Sequence, residues 1–335
     1  NLARVDYDGT ASSLLAEPMR TNFVVTSASG TYGSSPASEI LAIAPDGENT
    51  AIRPVPSTSS NRYQETIAGG TYSSGDEVTY SWYRKRFSTP VVDSYVGDLY
   101  INLLVNCTQV GVATEIISDV NGFNRVSATF SITDGSIDSI LRFYFGSIIG
   151  DGNSSVAYWG HQLEVGSYAT SYIPTDGGTV TRVQDQYSKT GISNLINSEE
   201  GVLFVEMAAL ADDGVAKYLT MNDGSSNNDV RIYFNTASNG ISALLKSTTG
   251  ATQAFLSYTV TDTTAFHKIA FVYAVNRFEL WVDGEKRAED LSGIAPVGLT
   301  TLEFSRASNF LPLFAKVKQL QIFKTTDIDL AALTS

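Results

Sequence analysis

Carboxylates and histidines are the residues of this chain whose chemistry would suit catalysis. A glycoside hydrolase built on a β-sandwich needs two carboxylates flanking the scissile bond, usually as alternating acids on one face of a strand. The densest acidic group, Glu279, Asp283 and Glu285 in ELWVDGE, lacks the E-x-D-x-x-E spacing of such a site, and the Asp-Gly pair of a hairpin turn explains Asp283. Only two histidines, His161 and His267, are present, and no G-x-S-x-G elbow accompanies them. We therefore predict that the chain is not an enzyme.

Carbohydrate binding is the chemistry that the composition favours. Aromatic residues make up 11% of the chain, and 17 tyrosines outnumber 3 tryptophans. A tyrosine ring offers a sugar a flat apolar face together with a hydroxyl that reaches its oxygens. Strand alternation places six polar or aromatic side chains away from the predicted core: Tyr83, Lys85, Arg142, Tyr144, Tyr158 and Gln162. We predict that they line a saccharide groove; the alternative is an ordinary solvent-facing sheet or a subunit interface.

An acidic loop in the second half has the residue types of a calcium site. Asp223 and Asp229, in NDGSSNNDV, offer the carboxylate oxygens that hard cations prefer. Asn, Asp, Gly and Ser are also the residues of any tight turn, so a turn is the alternative. No pattern requires a cofactor, and Ca²⁺ is the one ion that the loop would suit.

Short strands bounded by turn residues must position these side chains. Their spacing predicts an all-β chain with two antiparallel β-sandwich domains of the jelly-roll type in tandem. We expect an irregular lead-in at 1–30 with a helical turn at 13–17, a first sandwich at 31–176 and a second at 177–335. In VTYSWYRK, alternation directs Val78, Tyr80 and Trp82 to the core. The final TTDIDLAALTS predicts a short helix capped by Thr or Asp.

Charge and hydropathy exclude several partners. The net charge of −13 opposes docking on phosphate backbones or anionic membranes, so nucleic acid is not expected as a partner. No apolar run approaches the roughly 20 residues of a membrane helix, so no membrane insertion is expected. Because residue 1 is Asn, we expect a fragment or a processed product.

One segment resembles a known protein signature. WGHQLEVGSYATSYIPTDGGTVTR, 159–182, resembles the W-G-A-Q-L-E-x-G-x-x-A-T-S-Y-I-P-T signature of bacteriophage tail-fibre and head-appendage proteins, where it closes a carbohydrate-binding-module-like jelly roll. RVDYDG, LLAEPMRTNF and APDGENTA resemble the segments that precede and open that domain. The second half resembles a laminin-G or concanavalin A-like lectin domain. His161 departs from the signature, which has Ala there, and VGSYATSYIPTDGG has the composition of a connection between domains.

The resemblance implies a non-enzymatic virion surface protein: an extracellular tail fibre, spike or head appendage that binds host-surface polysaccharide. Other virion proteins and further copies of the chain, as a homo-oligomer, are the protein partners it implies. It also implies a structural Ca²⁺ in the first domain, held by Glu17 and Glu164. A decoration or assembly protein of the capsid or tail remains an alternative. Another is an accessory carbohydrate-binding module of a bacterial polysaccharide-degrading enzyme.

Overall fold

Antiparallel strands form most of the described chain. The computed structural model describes residues 3–8, 11–28, 38–55, 62–68, 73–86, 99–101, 107–133, 140–146, 156–247, 250–307 and 310–335. Within these ranges the other elements are one 3-10 turn, Ser193–Leu195, and one short helix, which confirms the all-β prediction. The chain divides into two compact units. We call Met19–Val183 the inserted unit, and Asn1–Pro18 together with Gln184–Ser335 the C-terminal unit.

The elements run in the following order. The chain opens with β1 (Arg4–Asp8) and β2 (Ala11–Ala16) of the C-terminal unit. The inserted unit holds β3 (Arg20–Asn22), β4 (Ser38–Ala42), β5 (Ala51–Val55), β6 (Arg62–Ala68), β7 (Glu77–Arg86), β8 (Leu99–Ile101), β9 (Cys107–Val120), β10 (Phe123–Ile132), β11 (Ile140–Gly146), β12 (Val156–Val165) and β13 (Val180–Arg182). The C-terminal unit resumes with β14 (Ser188–Lys189), β15 (Glu200–Ala209), β16 (Lys217–Asn222), β17 (Asp229–Phe234), β18 (Gly240–Lys246), β19 (Thr252–Thr259), β20 (His267–Ala274), β21 (Arg277–Val282), β22 (Glu285–Asp290), β23 (Thr301–Glu303), β24 (Ala315–Phe323) and α1 (Leu330–Thr334).

The inserted unit is organised around a six-stranded antiparallel sheet in the order β4-β5-β12-β7-β10-β9. β6-β11-β8 and β13-β3 form two smaller sheets. Val78, Tyr80 and Trp82 of β7 lie in one buried cluster with residues of β10 and β12, which confirms the predicted core face. The opposite face of this sheet carries a second buried cluster, centred on Trp159.

The segment after β12 covers that opposite face. Thr79 Oγ1 donates a hydrogen bond to the Gly166 carbonyl (2.7 Å), and Thr129 Oγ1 donates one to Ser167 O (3.1 Å). The Tyr172 ring packs 4.6 Å from the ring of Trp159. The prediction of a connection between domains is therefore wrong for residues 166–175. The small and polar residues of this segment let it pack against the face of the sheet. The division between the units comes later, after Val183.

The C-terminal unit is a sandwich of two antiparallel sheets. Seven strands form β1-β2-β24-β15-β20-β21-β22, and six form β14-β23-β16-β17-β18-β19. Apolar side chains of both sheets meet in one buried core, for example Phe271 and Leu280 from the first sheet and Ile232 and Leu245 from the second. Asp329 caps α1 as predicted, because its side chain accepts a hydrogen bond from Ala332 N (3.0 Å).

The predicted irregular lead-in is wrong over residues 4–16. Residues 13–16, expected in a helical turn, belong to β2, which pairs with β24. Strand pairing satisfies the backbone along the edge of a sheet, which an isolated helical turn cannot do. The Arg4 guanidinium fixes this hairpin by ion pairs to Glu17 (3.0 Å) and Asp185 (2.9 Å).

No helix in the described part of the chain has the length and apolar character needed to cross a membrane.

Candidate functional site

Tyr83 and Lys85 share one face of β7, but the unit's own packing engages both. The half-buried Tyr83 ring lies 5.5 Å from Trp159 and 6.3 Å from Tyr172, centroid to centroid. Lys85 Nζ donates to the Asn121 carbonyl (2.7 Å). These contacts leave Tyr83 less of an open stacking surface than the alternation alone predicted.

Tyr158 and Gln162 are buried, with 3% and 0% of their surface exposed, and the unit's own packing engages both. Gly160, at φ +66°, lies in a β-bulge that shifts the pairing with β7 between Trp159 and Gln162. A bulge inserts one residue and reverses the alternation beyond it, so Tyr158 and Leu163 reach the same core cluster. Gln162 instead holds the covering segment, since its Oε1 accepts from Ile173 N (2.6 Å).

Arg142 and Tyr144 lie on β11, where they pair with Thr66 and Gln64 of β6. Their side chains lie outside the described residues, so their part in a saccharide groove stays a prediction.

The expected calcium ligands have other partners. Asp223 Oδ1 accepts from Ser225 N (3.0 Å) and Ser225 Oγ (2.7 Å). Burial acts to raise the pKa of Asp223. These hydrogen bonds and one from Asn228 outweigh burial and lower the pKa. The turn alternative accounts for this geometry. Within the described residues, no three or more His, Cys, Asp or Glu side chains come together as a metal site.

The second expected calcium pair is divided between the two units. Glu17 belongs to the C-terminal unit and is paired with Arg4. Glu164 belongs to the inserted unit, where it accepts hydrogen bonds from the backbone and side chain of Thr170. Each of the two carboxylates thus has a partner within its own unit, and a shared calcium site stays a prediction.

The acidic cluster considered for catalysis serves its own hairpin. Glu279 accepts hydrogen bonds from Arg277 Nε (3.0 Å) and Trp281 Nε1 (2.8 Å). Burial acts to raise the pKa of Glu279, but these hydrogen bonds outweigh burial and lower the pKa. Asp283 occupies the turn as predicted, at φ 50°, and accepts from Lys268 N (3.0 Å).

His161 is fully buried in the inserted unit. Its Nδ1 lies 2.7 Å from the Tyr80 hydroxyl, and burial lowers its pKa to about 3. This side chain is therefore neutral at physiological pH and has a packed environment, which suits a structural role.

A group of buried polar side chains that the sequence reasoning missed lies on the six-stranded sheet of the C-terminal unit. We call it the polar floor; its members are Thr220, Asn222, Asp229, Arg231 and Glu303. Thr220 pairs with Arg231 on one side and with Glu303 on the other, and Asn222 pairs with Asp229. They alternate with core residues such as Met221 and Val230, so they occupy the face opposite the core.

The polar floor contains an ion pair and several polar atoms that no described residue satisfies. Arg231 pairs with Asp229 and also donates to Ser226 O (3.1 Å). Thr220 Oγ1, Asn222 Nδ2, Asp229 Oδ1 and Arg231 Nε are buried and have no hydrogen-bond partner among the described residues. Folded proteins satisfy the large majority of such atoms. Four unsatisfied donor or acceptor atoms therefore lie on one face of this sheet.

Partly exposed side chains border the floor. We call them the rim: Tyr218, Leu244, Lys246, Phe255 and Arg306. Leu244 and Phe255 continue the cross-strand row of Arg231, and Phe255 is 57% exposed. The Tyr218 ring stacks on that of Tyr233 at 4.5 Å, with Arg231 5.9 Å from the Tyr218 centroid. The site thus combines a polar floor with apolar and aromatic borders.

The sequence contains a signal for the floor. In KYLTMN and DVRIYF, polar residues recur at every second position between apolar ones. Asp229 was instead considered as a calcium ligand in the preceding loop.

Comparisons with known proteins add little to this geometry. No protein-family model and no curated protein matches the chain. It is similar to the CBM40 of the IT-sialidase of Ruminococcus gnavus, at 15% identity and a TM-score of 0.36, over 42% of this chain and 84% of that one. It is also similar to mouse laminin α1 domains LG4-5, at 9% identity and a TM-score of 0.29, over 98% and 96% of the two chains. Sheep galectin-11 matches at 5% identity and a TM-score of 0.30, over 42% and 99%. At these values the likeness says nothing about a ligand.

Proposed function

We propose that the chain is a non-catalytic carbohydrate-binding protein whose C-terminal unit binds saccharide at the polar floor. The unsatisfied buried atoms of Thr220, Asn222, Asp229 and Arg231 are the observation that carries this proposal. They include donors and acceptors, and a sugar hydroxyl both donates and accepts, so one pyranose can satisfy several of them. Each buried polar group left unpaired costs about 1–3 kcal/mol, which a ligand would recover.

The rim supplies the apolar part of the recognition. The exposed Phe255 ring and the half-buried Tyr218 ring offer flat faces to the C–H side of a pyranose. A single site of this kind binds weakly, with a Kd of roughly 1 mM or about 4 kcal/mol. Several copies on one particle raise the avidity by about 10² to 10⁴, so a weak site suffices for adhesion.

The biological setting that we propose is the virion surface of a bacteriophage, with host polysaccharide as the ligand. The similarity of residues 159–182 to the tail-fibre and head-appendage signature supports this setting. An accessory carbohydrate-binding module of a polysaccharide-degrading enzyme would use the same floor. Competition by the purified chain with adsorption of the virus to its host would favour the first setting over the second.

Binding to a panel of host polysaccharides tests the function directly. The chain is displayed on beads, and reducing-sugar release is measured in the same samples. We expect binding without release, about tenfold weaker for Phe255→Ala and reduced for Thr220→Val, which keeps the shape and removes the hydroxyl. Tyr7→Ala, an exposed aromatic residue on β1 of the other sheet, is the matched control and should bind normally. Binding that is unaffected by both floor and rim variants would refute this site, and released sugar would refute the non-catalytic assignment.

A further inference from the structure

Two cations lie beside the polar floor without an ion pair to the residues that the structure describes. Neither the Arg306 guanidinium nor the Lys246 ammonium makes a hydrogen bond or an ion pair to a described residue, and Arg306 Nε is buried. The chain has 35 acidic residues and 22 basic ones, so carboxylates are plentiful. Other cations of the same unit find them, such as Arg277 with Glu279 and Lys316 with Asp6. Arg306 and Lys246 therefore have no ion-pair partner of their own among the described residues.

Backbone hydrogen bonding holds both cations close to the floor. Lys246 of β18 lies opposite Asp229 of β17 in the strand ladder. This register places the two side chains on one face, with their Cβ atoms about 5 Å apart. Arg306 follows β23, three residues after Glu303, and its backbone is pinned by reciprocal hydrogen bonds with Phe310 (2.8 and 3.1 Å). Burial raises the pKa of Asp229, and the charges of Arg231, Lys246 and Arg306 oppose that shift, as expected for cations near this carboxylate.

The charges of this face do not cancel. Arg231 and Asp229 neutralise each other within the floor. Glu303 already accepts a hydrogen bond from Ser305 Oγ (3.1 Å). Counting the floor and the rim, three positive groups (Arg231, Lys246, Arg306) face two negative ones (Asp229, Glu303), a local surplus of one positive charge. In a chain of net charge −13, such a surplus beside a ligand site favours an anionic ligand group.

We infer that the saccharide bound at the polar floor is acidic, and that Arg306 and Lys246 hold its carboxylate or sulfate group. The inference rests on the proposed function and specifies its ligand class. The floor atoms bind the hydroxyls of the same sugar, while the two rim cations supply charge-assisted hydrogen bonds to the anionic group. A neutral glycan would leave the positive surplus of this face uncompensated.

The test compares three probes of equal length on the full chain: an oligogalacturonate, a sulfated oligosaccharide and a neutral oligoglucoside. We expect the oligogalacturonate, the sulfated probe or both to bind at least tenfold more tightly than the neutral probe, and to weaken as salt rises from 0.05 to 0.5 M. Arg306→Gln and Lys246→Gln should each reduce acidic binding about tenfold and lower the ratio of acidic to neutral affinity. Lys324→Gln removes an exposed lysine outside this sheet and is the matched control. Thermal unfolding of each variant confirms that it is folded.

The outcomes separate the inference from the function. Preference for the uronate alone identifies a carboxylate as the group bound, and preference for both acidic probes extends this to sulfate. Equal binding of acidic and neutral probes, or an unchanged preference in folded Arg306→Gln and Lys246→Gln, overturns the inference while carbohydrate binding stands. Failure of all three probes and of the polysaccharide panel overturns both.

Discussion

Mild acid should destabilise the inserted unit through one residue, His161. The side chain is fully buried against Tyr80, and burial lowers its pKa from 6.5 to about 3. Between these values the unfolded chain binds a proton that the folded chain does not. Above pH 6.5 His161 is neutral in both states and does not reduce the free energy of unfolding. That free energy falls progressively as the pH drops from 6.5 towards 3.

The size of the effect follows from the width of that window. Each pH unit below 6.5 costs about 1.4 kcal/mol, because one unit of pKa difference corresponds to that free energy. At pH 5 the unit should therefore be about 2 kcal/mol less stable than at pH 8 from this residue alone. A typical domain is stable by about 5–15 kcal/mol, so the loss is readily measured.

Tryptophan fluorescence can isolate the unit concerned. Trp82 and Trp159 lie in the inserted unit and Trp281 in the C-terminal unit, so Trp281→Phe leaves only the reporters of the inserted unit. Urea unfolding of this variant at pH 8 and pH 5 is compared with the same variant carrying His161→Gln, which does not titrate. The difference between the two losses should be about 2 kcal/mol. Equal losses would refute the reasoning, because ordinary carboxylates would then account for all of the pH dependence.

Three further predictions concern stability. Deleting residues 1–16 removes β1 and β2 from the sheet of the C-terminal unit and should lower that unit's melting temperature, whereas Met19–Val183 expressed alone should keep its circular dichroism. Gly160→Ala should cost about 1–3 kcal/mol in urea unfolding, since φ is +66° and the new Cβ would lie 2.8 Å from a Tyr83 ring carbon. Gln162→Leu should cost about 1–3 kcal/mol and speed proteolysis of the segment after β12, because it leaves buried backbone groups of that segment unpaired.

Alternation predicted the strand faces of β7, where the ladder is regular. In β7 it placed Val78, Tyr80 and Trp82 in the core and Tyr83 on the other side, as the structure does. It failed in β12, because the bulge at Gly160 moves every later side chain to the opposite face. A glycine within a strand can form a bulge or end the strand. Only the pairing with β7 shows that Gly160 forms a bulge.

Local sequence does not decide the structure of residues 11–16. SSLLAE has an apolar pair that suits one helical turn as well as a strand, so local propensity does not decide between them. The partner that decides is β24, some 300 residues further along the chain. Apolar runs can be assigned from the sequence, but the edge on which a short hairpin docks is a long-range property of the fold.

Strand alternation gives the direction in which a side chain points, but it does not show whether another group of the protein already binds that side chain. Tyr83 and Gln162 have the types that bind sugars, yet the segment after β12 or the ring of Trp159 already occupies them. Thr220 and Arg231 have less distinctive types, but their atoms remain unsatisfied after the chain has folded. A sequence states which groups can form hydrogen bonds. Whether the protein itself supplies the partner depends on the whole sheet, and it is the groups left over that define where another molecule can bind.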